Sequence, residues 1–348
     1  MILRGGRNAV NLKSVIRTLL LLSMIIPLAG SCIHEETPPP SGVVAKLRYV
    51  TKGLRSDMLR IADQTEHLAG TTAAVYARAD SIIRSVNTNQ YGMTDYGGYY
   101  KTFANDRAAL WVSGAVPVDD AVRRVAWLTE GIDDELARVV GEFPEVAQAY
   151  YNERHSLNRI YPPFDVLAQY EPRMDITAFN FYYLADERHN PGRGPVWVGE
   201  PYVDPAGRGW MISSIAPVYV SNRVEGVVGL DITITKLVSR YISASKRNIM
   251  LVDQHGVIVA ADEYLIDLLE LPPLKEHRYM ETIKGEQFLP DDYNLLKART
   301  KQVREMAVQI LHRKTPTVRF VARGRRFMVA SESVEVLRWT AIIFEPLN

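Results

Sequence analysis

Residues 196–237 read VWVGEPYVDPAGRGWMISSIAPVYVSNRVEGVVGLDITITKL, and their pattern decides the fold. Trp197 to Val203 alternates large and small side chains, and Asp204-Pro205-Ala206-Gly207 then supplies turn chemistry. Trp210 to Val220 is apolar and β-prone, Ser221-Asn222-Arg223 turns the chain, and Val224 to Ile234 reads as a buried strand. Two aspartates, Asp204 and Asp231, stand amid this apolar material. An ionised carboxylate is costly to bury without a partner, so both are candidates for function.

Upstream, Val43 to Val86 reads as one long helix, because Leu47, Val50, Leu54, Met58, Ile61, Leu68, Val75, Ile82 and Ile83 recur at helical spacing. Thr88 to Tyr100 is polar, glycine-containing and tyrosine-rich, and reads as loop. Ala108 to Gly114 predicts a strand and Asp119 to Val140 a helical stretch. Val146 to Glu153 and Leu157 to Phe164 predict a strand pair around Arg154-His155-Ser156, and Leu167 onward a short helix or loop leading into Phe179-Asn180-Phe181-Tyr182-Tyr183. Downstream, Leu237 to Ser245 reads as a connecting helix. From Asn248 come strands 249–253 and 257–260 about a Gln254-His255-Gly256 turn. Helices follow at 262–271 and 294–311, broken by Pro272-Pro273, then strands 317–321 and 327–331 about Arg323-Gly324-Arg325 and a closing strand, Trp339 to Phe344.

The order Trp197, Pro201-Tyr202-x-Asp204, Pro217-Val218-Tyr219, Gly226-Val227-Val228-Gly229-x-Asp231-Ile232-Thr233 resembles the ligand-binding half of double Cache (PDC-like) sensor domains of bacterial chemoreceptors and sensor kinases. The strand order after Asn248 is similar to their smaller membrane-proximal module. The resemblance implies an α+β fold in which a long N-terminal helix lies alongside two PAS-like (Cache) modules, each an antiparallel sheet flanked by helices. The expected divisions are a signal peptide at 1–31, a lipidated cysteine and proline-rich tether at 32–42, and the long helix at 43–90. A membrane-distal, ligand-binding module at 91–245 and a membrane-proximal module at 246–348 complete the chain.

The N-terminus reads as a targeting segment. Arg4, Arg7, Lys13 and Arg17 make a positive region, and Thr18 to Leu28 is apolar but well short of the ~20 residues that span a bilayer. Leu28-Ala29-Gly30-Ser31 then leads into Cys32, the single cysteine. This resembles a bacterial lipobox, cleaved before Cys32 and diacylated on its sulfur, with Ala29 where leucine is usual. A plain secretory signal is the alternative, which leaves the lone thiol of an exported chain without a use. Glu36 to Gly42, with consecutive prolines, reads as a stiff tether. No later stretch is long and apolar enough to span a bilayer, and the chain ends just after its closing strand. The expectation is a free-standing extracytoplasmic domain in the cell envelope, anchored by lipid at Cys32.

In family members that bind amino acids, the distal pocket is made of tyrosines, an Arg-x-Trp-Tyr run and two later aspartates. The resemblance carries over to Asp204, Asp231, Tyr202 and Trp197, and puts Tyr182 and Tyr183 at the aromatic pair. Asn180 stands where the arginine would be. An arginine fork is the usual partner of a ligand carboxylate, so its loss argues against an α-amino acid unless Arg159, Arg188 or Arg193 substitutes. Aromatic walls with buried carboxylates suit an amine-bearing ligand. Residue by residue the plainer readings stay open: Asp204 as a turn cap, Trp197 and Trp210 as core.

Catalytic signals are weak. None of the seven histidines has metal-ligand spacing with another, and there is no nucleophile elbow, phosphate loop or dinucleotide fingerprint. The net charge of +1 gives no electrostatic case for nucleic acid. The sequence therefore predicts a sensor or solute-binding protein without cofactor or metal. It would bind a small molecule and act through a partner, a sensor kinase, chemoreceptor or transporter. The alternatives are an envelope interaction protein with a degenerate pocket and, more remotely, an envelope hydrolase.

Overall fold

Helix α1 (Ser41–Tyr76) buries Leu47, Leu54, Met58, Ile61, Leu68 and Val75 along one face, the stripe read from the sequence. Thr51, Thr65 and Thr72 are buried on the same side. Their hydroxyls reach the carbonyls of Leu47, Ile61 and Leu68, which lets polar residues sit in an apolar interface. The computed structural model describes residues 41–101, 107–245, 248–272 and 290–347; the signal segment, Cys32 and Pro273 lie outside them.

The helix does not run on to Val86. It breaks at Arg78 and resumes as α2 (Ala79–Ser85). In a straight helix Val75 and Ile82 would stand about 10 Å apart along the axis. The break lets both close on Gly131, where an added Cβ would lie 2.9 Å from Ile82 Cδ1 and 3.1 Å from Val75 Cγ1.

The first sheet contains β1 (Tyr91–Met93), β2 (Tyr99–Lys101), β3 (Ala109–Val112), β4 (Gln148–Glu153), β5 (Leu157–Tyr161), β6 (Val196–Val203), β7 (Trp210–Val220) and β8 (Arg223–Thr233). Its order is β1-β2-β3-β5-β4-β8-β7-β6, antiparallel throughout. The segment read as loop at Thr88 to Tyr100 is instead the hairpin β1–β2. Thr94 N donates to Gly98 O at 2.9 Å, and Tyr91 stacks on Tyr99 at 5.4 Å between centroids. Tyrosine is a β-prone residue whose hydroxyl end tolerates water, so such a strand lacks an apolar signature.

The second sheet holds β9 (Ile249–Val252), β10 (Ile258–Ala261), β11 (Thr317–Ala322), β12 (Arg325–Val334) and β13 (Trp339–Pro346), ordered β10-β9-β13-β12-β11. Its outer face is covered by the helices Glu263–Leu268 and Lys301–Ala307, both shorter than their sequence readings. Helix α1 lies against β7 and β8 of the first sheet and β12 and β13 of the second, and one apolar core runs beneath it through both. A second link comes from β6, whose pairing with β7 is interrupted between Val198 and Tyr202. There the Gly199 carbonyl accepts from Trp339 Nε1 at 2.9 Å, and Glu200 Oε1 lies 3.1 Å from His255 Nε2.

Candidate ligand-binding site

The face of the first sheet turned away from α1 is covered by the chain between β5 and β7, with only single-turn helices at Val166–Gln169 and Asn180–Tyr183. Strand β4 reads Gln-Ala-Tyr-Tyr-Asn-Glu, and period-2 alternation sends Gln148, Tyr150 and Asn152 to that face. The register aligns Gln148 on β4, Asp231 on β8 and Ser213 on β7 in one row. Asp231, 1% exposed, accepts from Gln148 Nε2 at 2.6 Å and from Ser213 Oγ at 2.5 Å. The Tyr202 hydroxyl lies 2.5 Å from Ser213 Oγ and 3.4 Å from Asp231 Oδ1.

Asp204 enters the row from above. It caps the turn after β6, accepting from the backbone N–H of Ala206 at 3.0 Å and of Arg208 at 3.1 Å. The plainer sequence reading of this residue holds, and it has a second contact: its Oδ1 lies 3.3 Å from Gln148 Nε2. One amide thus joins two buried carboxylates. Among the described residues neither carboxylate forms an ion pair: the Arg208 guanidinium turns to the Pro162 carbonyl at 2.9 Å and acts on Asp204 only through its charge at a distance.

Lost hydration, reinforced by the charge of Asp204, pushes the Asp231 carboxyl up to about 7 against the pull of its Ser213, Gln148 and Tyr202 bonds. Burial raises Asp204 as well, opposed by its backbone N–H bonds. Sharing one amide, the two carboxyls titrate as a coupled pair, both pushed upward by burial.

Between them and a neutral end lies a partly open cavity of about 20 Å³, room for about one water. Asn158 donates to Asn152 Oδ1 at 2.7 Å, and Tyr170 donates to Asn158 Oδ1 at 3.1 Å, forming the neutral end. Phe181 stands in the wall, 5.3 Å from the Tyr202 ring and edge-on to Tyr150 at 6.1 Å. Tyr150 lies flat across Gly229 on the next strand. A Cβ there would come 2.1 Å from Tyr150 Cζ, so only glycine permits this ring position.

Of the residues singled out from the sequence, the fold brings Tyr202, Asp204 and Asp231 together. Tyr182 is buried in the neighbouring apolar cluster without lining the cavity. Tyr183 lies at the surface against His189, 5.3 Å between rings. A helical turn at 180–183 presents Phe181 inward instead. Trp197 belongs to the opposite face: it pairs with Ser214, which contacts Thr65 of α1, while Val198 shares the row of Ser213. A shift of one residue along a strand exchanges faces.

The candidate arginines are engaged elsewhere. Arg159 is fully buried on the far face and bonded to Thr129, Asp133, Tyr91 and the Ala126 carbonyl. Arg193 pairs with Asn222 and covers the Tyr219 ring, and Arg188 is not among the lining residues. Sequence reasoning missed Gln148, Tyr150, Asn152, Asn158 and Tyr170. The available signal was the alternation Gln-x-Tyr-x-Asn within a strand otherwise read as structural. Among the described residues, no group of three His, Cys, Asp or Glu is placed to hold a metal.

No family model matches the chain, and no curated protein matches it. Solved structures do. The methyl-accepting chemotaxis protein X aligns at a TM-score of 0.50 and 14% identity, over 88% of this chain and 97% of its own. The ligand-binding domain of the Pseudomonas fluorescens chemoreceptor CtaA in complex with L-serine aligns at 0.48 and 12% identity, over 87% and 93%. That of the Pseudomonas aeruginosa PAO1 amino acid chemoreceptor PctC in complex with GABA aligns at 0.46 and 15%, over 87% and 98%. At these identities the likeness is one of fold.

Proposed function

We propose that this chain, whose fold is that of the double Cache sensor domains, is a non-enzymatic sensor or solute-binding protein that takes a small amine into the cavity of its first sheet. One observation carries the reading: two buried carboxylates share a single amide, and among the described residues no lysine or arginine lines the space beside them. A ligand ammonium is the cation that this arrangement lacks. It pairs with Asp231 and meets the rings of Tyr150, Phe181 and Tyr202. Because the cavity has room for about one water, a larger ligand fits only if its walls, the Asp204 turn and the Phe181 segment among them, move outward.

Asp231→Asn keeps the shape of the site and removes its charge. Amine binding by this variant, followed by calorimetry, should weaken by about 2–5 kcal/mol while the domain stays folded. Unchanged affinity would sink the reading. A ligand at 100 times its dissociation constant adds about 2.7 kcal/mol of stability, so a thermal-shift screen of amines, amino acids, carboxylates and purines finds the class. The small cavity favours a second reading, an envelope interaction protein with a degenerate pocket. A screen in which none of these compounds raises the melting temperature decides for it.

In the favoured reading the protein is extracytoplasmic, Cys32 carries a lipid anchor, and the bound state passes to a sensor kinase, chemoreceptor or transporter. Cys32→Ser should then abolish lipid labelling and move the protein to the soluble fraction or block its processing. Retention on membranes with unchanged gel migration overturns the anchor.

A further inference from the structure

At the acidic end of the cavity two side-chain atoms are buried and without a hydrogen-bond partner: Gln148 Oε1 and the Tyr150 hydroxyl. Gln148 is 1% and Tyr150 3% exposed, and both line the cavity. The Tyr150 hydroxyl lies within reach of the Ser213 and Tyr202 hydroxyls, which pull on its titration; those two are committed to each other and to Asp231, and neither makes a well-formed bond with it. Leaving such groups unpaired inside a protein is unfavourable, and a ligand that pairs them gains accordingly.

Resting on the amine reading above, we propose that the cavity selects a small primary amine that also carries a neutral hydrogen-bond acceptor, an amino alcohol or amino amide, and discriminates against amino acids of the same size. An ammonium group has three donors. Asp231, Asp204 and Gln148 Oε1 are three acceptors gathered about one amide. The phenol of Tyr150 is a donor and stays protonated, its ionisation suppressed by burial and by the nearby aspartates. Tyr150 makes no hydrogen bond to Asp231, whose oxygens accept from Gln148 and Ser213, and an acceptor on the ligand pairs it.

That acceptor is neutral for an electrostatic reason. A ligand carboxylate would add a third anion beside Asp204 and Asp231, with no lysine or arginine among the lining residues to balance it. A hydroxyl or amide oxygen satisfies Tyr150 without that charge. Gly229 fixes the position of the phenol, since the ring rests on its backbone. Sites built around a buried polar group reject analogues that lack its partner far more strongly than sites built on shape alone.

Two nearly isosteric pairs test this by titration calorimetry on the full chain at pH 8: ethanolamine against propylamine, and glycinamide against glycine. The member of each pair whose acceptor is uncharged, ethanolamine and glycinamide, should bind at least tenfold tighter. Tyr150→Phe should erase the first difference, bringing ethanolamine affinity down to that of propylamine in the same variant. Equal binding within each pair, or glycine binding more tightly than glycinamide, overturns the selection while the amine reading stands. Binding by propylamine or the bulkier putrescine alone has the same meaning. If none of these amines binds, or if Asp231→Asn binds them all as the wild type does, the amine reading falls and the selection with it. The wild-type ranking needs no variant, so a poorly folding Tyr150→Phe protein does not remove the test.

Discussion

On the face turned away from α1, the second sheet buries Met250, Phe327, Val329 and Phe344 beneath two helices. The first sheet buries Gln148, Asp231, Ser213 and Asn158 beneath turns and single-turn helices. The difference lies in what covers each sheet. A helix satisfies its own backbone and presents an apolar stripe, so the strands below it can be wholly apolar. A turn leaves backbone N–H groups to be capped, which brings Asp204 over the first sheet, and polar residues on the strands meet it. The same sheet architecture yields a filled core in one place and a polar cavity in the other.

The largest effect should come from damaging the filled core. Phe327 is fully buried, 6.5 Å from the Phe320 ring, which is itself edge-on to Phe344 at 5.9 Å. Phe327→Ala should cost about 3–5 kcal/mol in urea unfolding. A loss below about 1 kcal/mol would mean that the second sheet also has slack, and the contrast breaks.

The next effect is specific to the acidic row and has a defined pH sign. The Asp231 carboxyl stands at about 7 in the folded chain against an ordinary 3.8. Folding therefore favours the protonated form. Its stabilising contribution is full below about pH 4 and is lost as pH rises through 7. Asp231→Asn removes this loss: its oxygen accepts from Ser213, and its amide donates to Gln148 once that side chain turns its free oxygen inward. Unfolding at pH 4.5 and 8 should show the wild type weakening with pH and the variant staying flatter, with a gap on the order of a few kcal/mol at pH 8. Parallel curves would mean that the row titrates like the surface.

The smallest effect on stability comes from the floor of the cavity. Gly229→Ala forces the Tyr150 ring off the backbone of β8. It should cost about 1–3 kcal/mol and abolish ligand-induced stabilisation in the same melt. A variant that keeps its thermal response to the ligand shows that Tyr150 can leave its position without loss of the site.

How much could be read from sequence follows the same division. The stripe of α1 and the strands from Trp197 to Ile234 announce themselves, because burial on one side imposes a period that composition carries. The hairpin at Tyr91–Lys101 does not, because its tyrosines satisfy both water and core. Asp231 was legible as an acid in an apolar strand. Its partner Gln148 was not, since their adjacency depends on β4 pairing with β8 across 83 positions of chain. Trp197 and Val198 differ by one position and occupy opposite faces, and only the register with β7 decides which faces the cavity. Tyr150 depends on a residue that contributes no side chain at all.

The interrupted edge of the first sheet has a mechanical consequence. Between Gly199, held by the indole of Trp339, and Tyr202, held at Ser213, the chain spans three residues, at most ~10 Å when extended. Such a short length fixed at both ends behaves as a strut. The two sheets cannot shear past each other at this corner without breaking the indole bond or drawing the phenol of Tyr202 away from its carboxylate, so displacement on one side is load on the other.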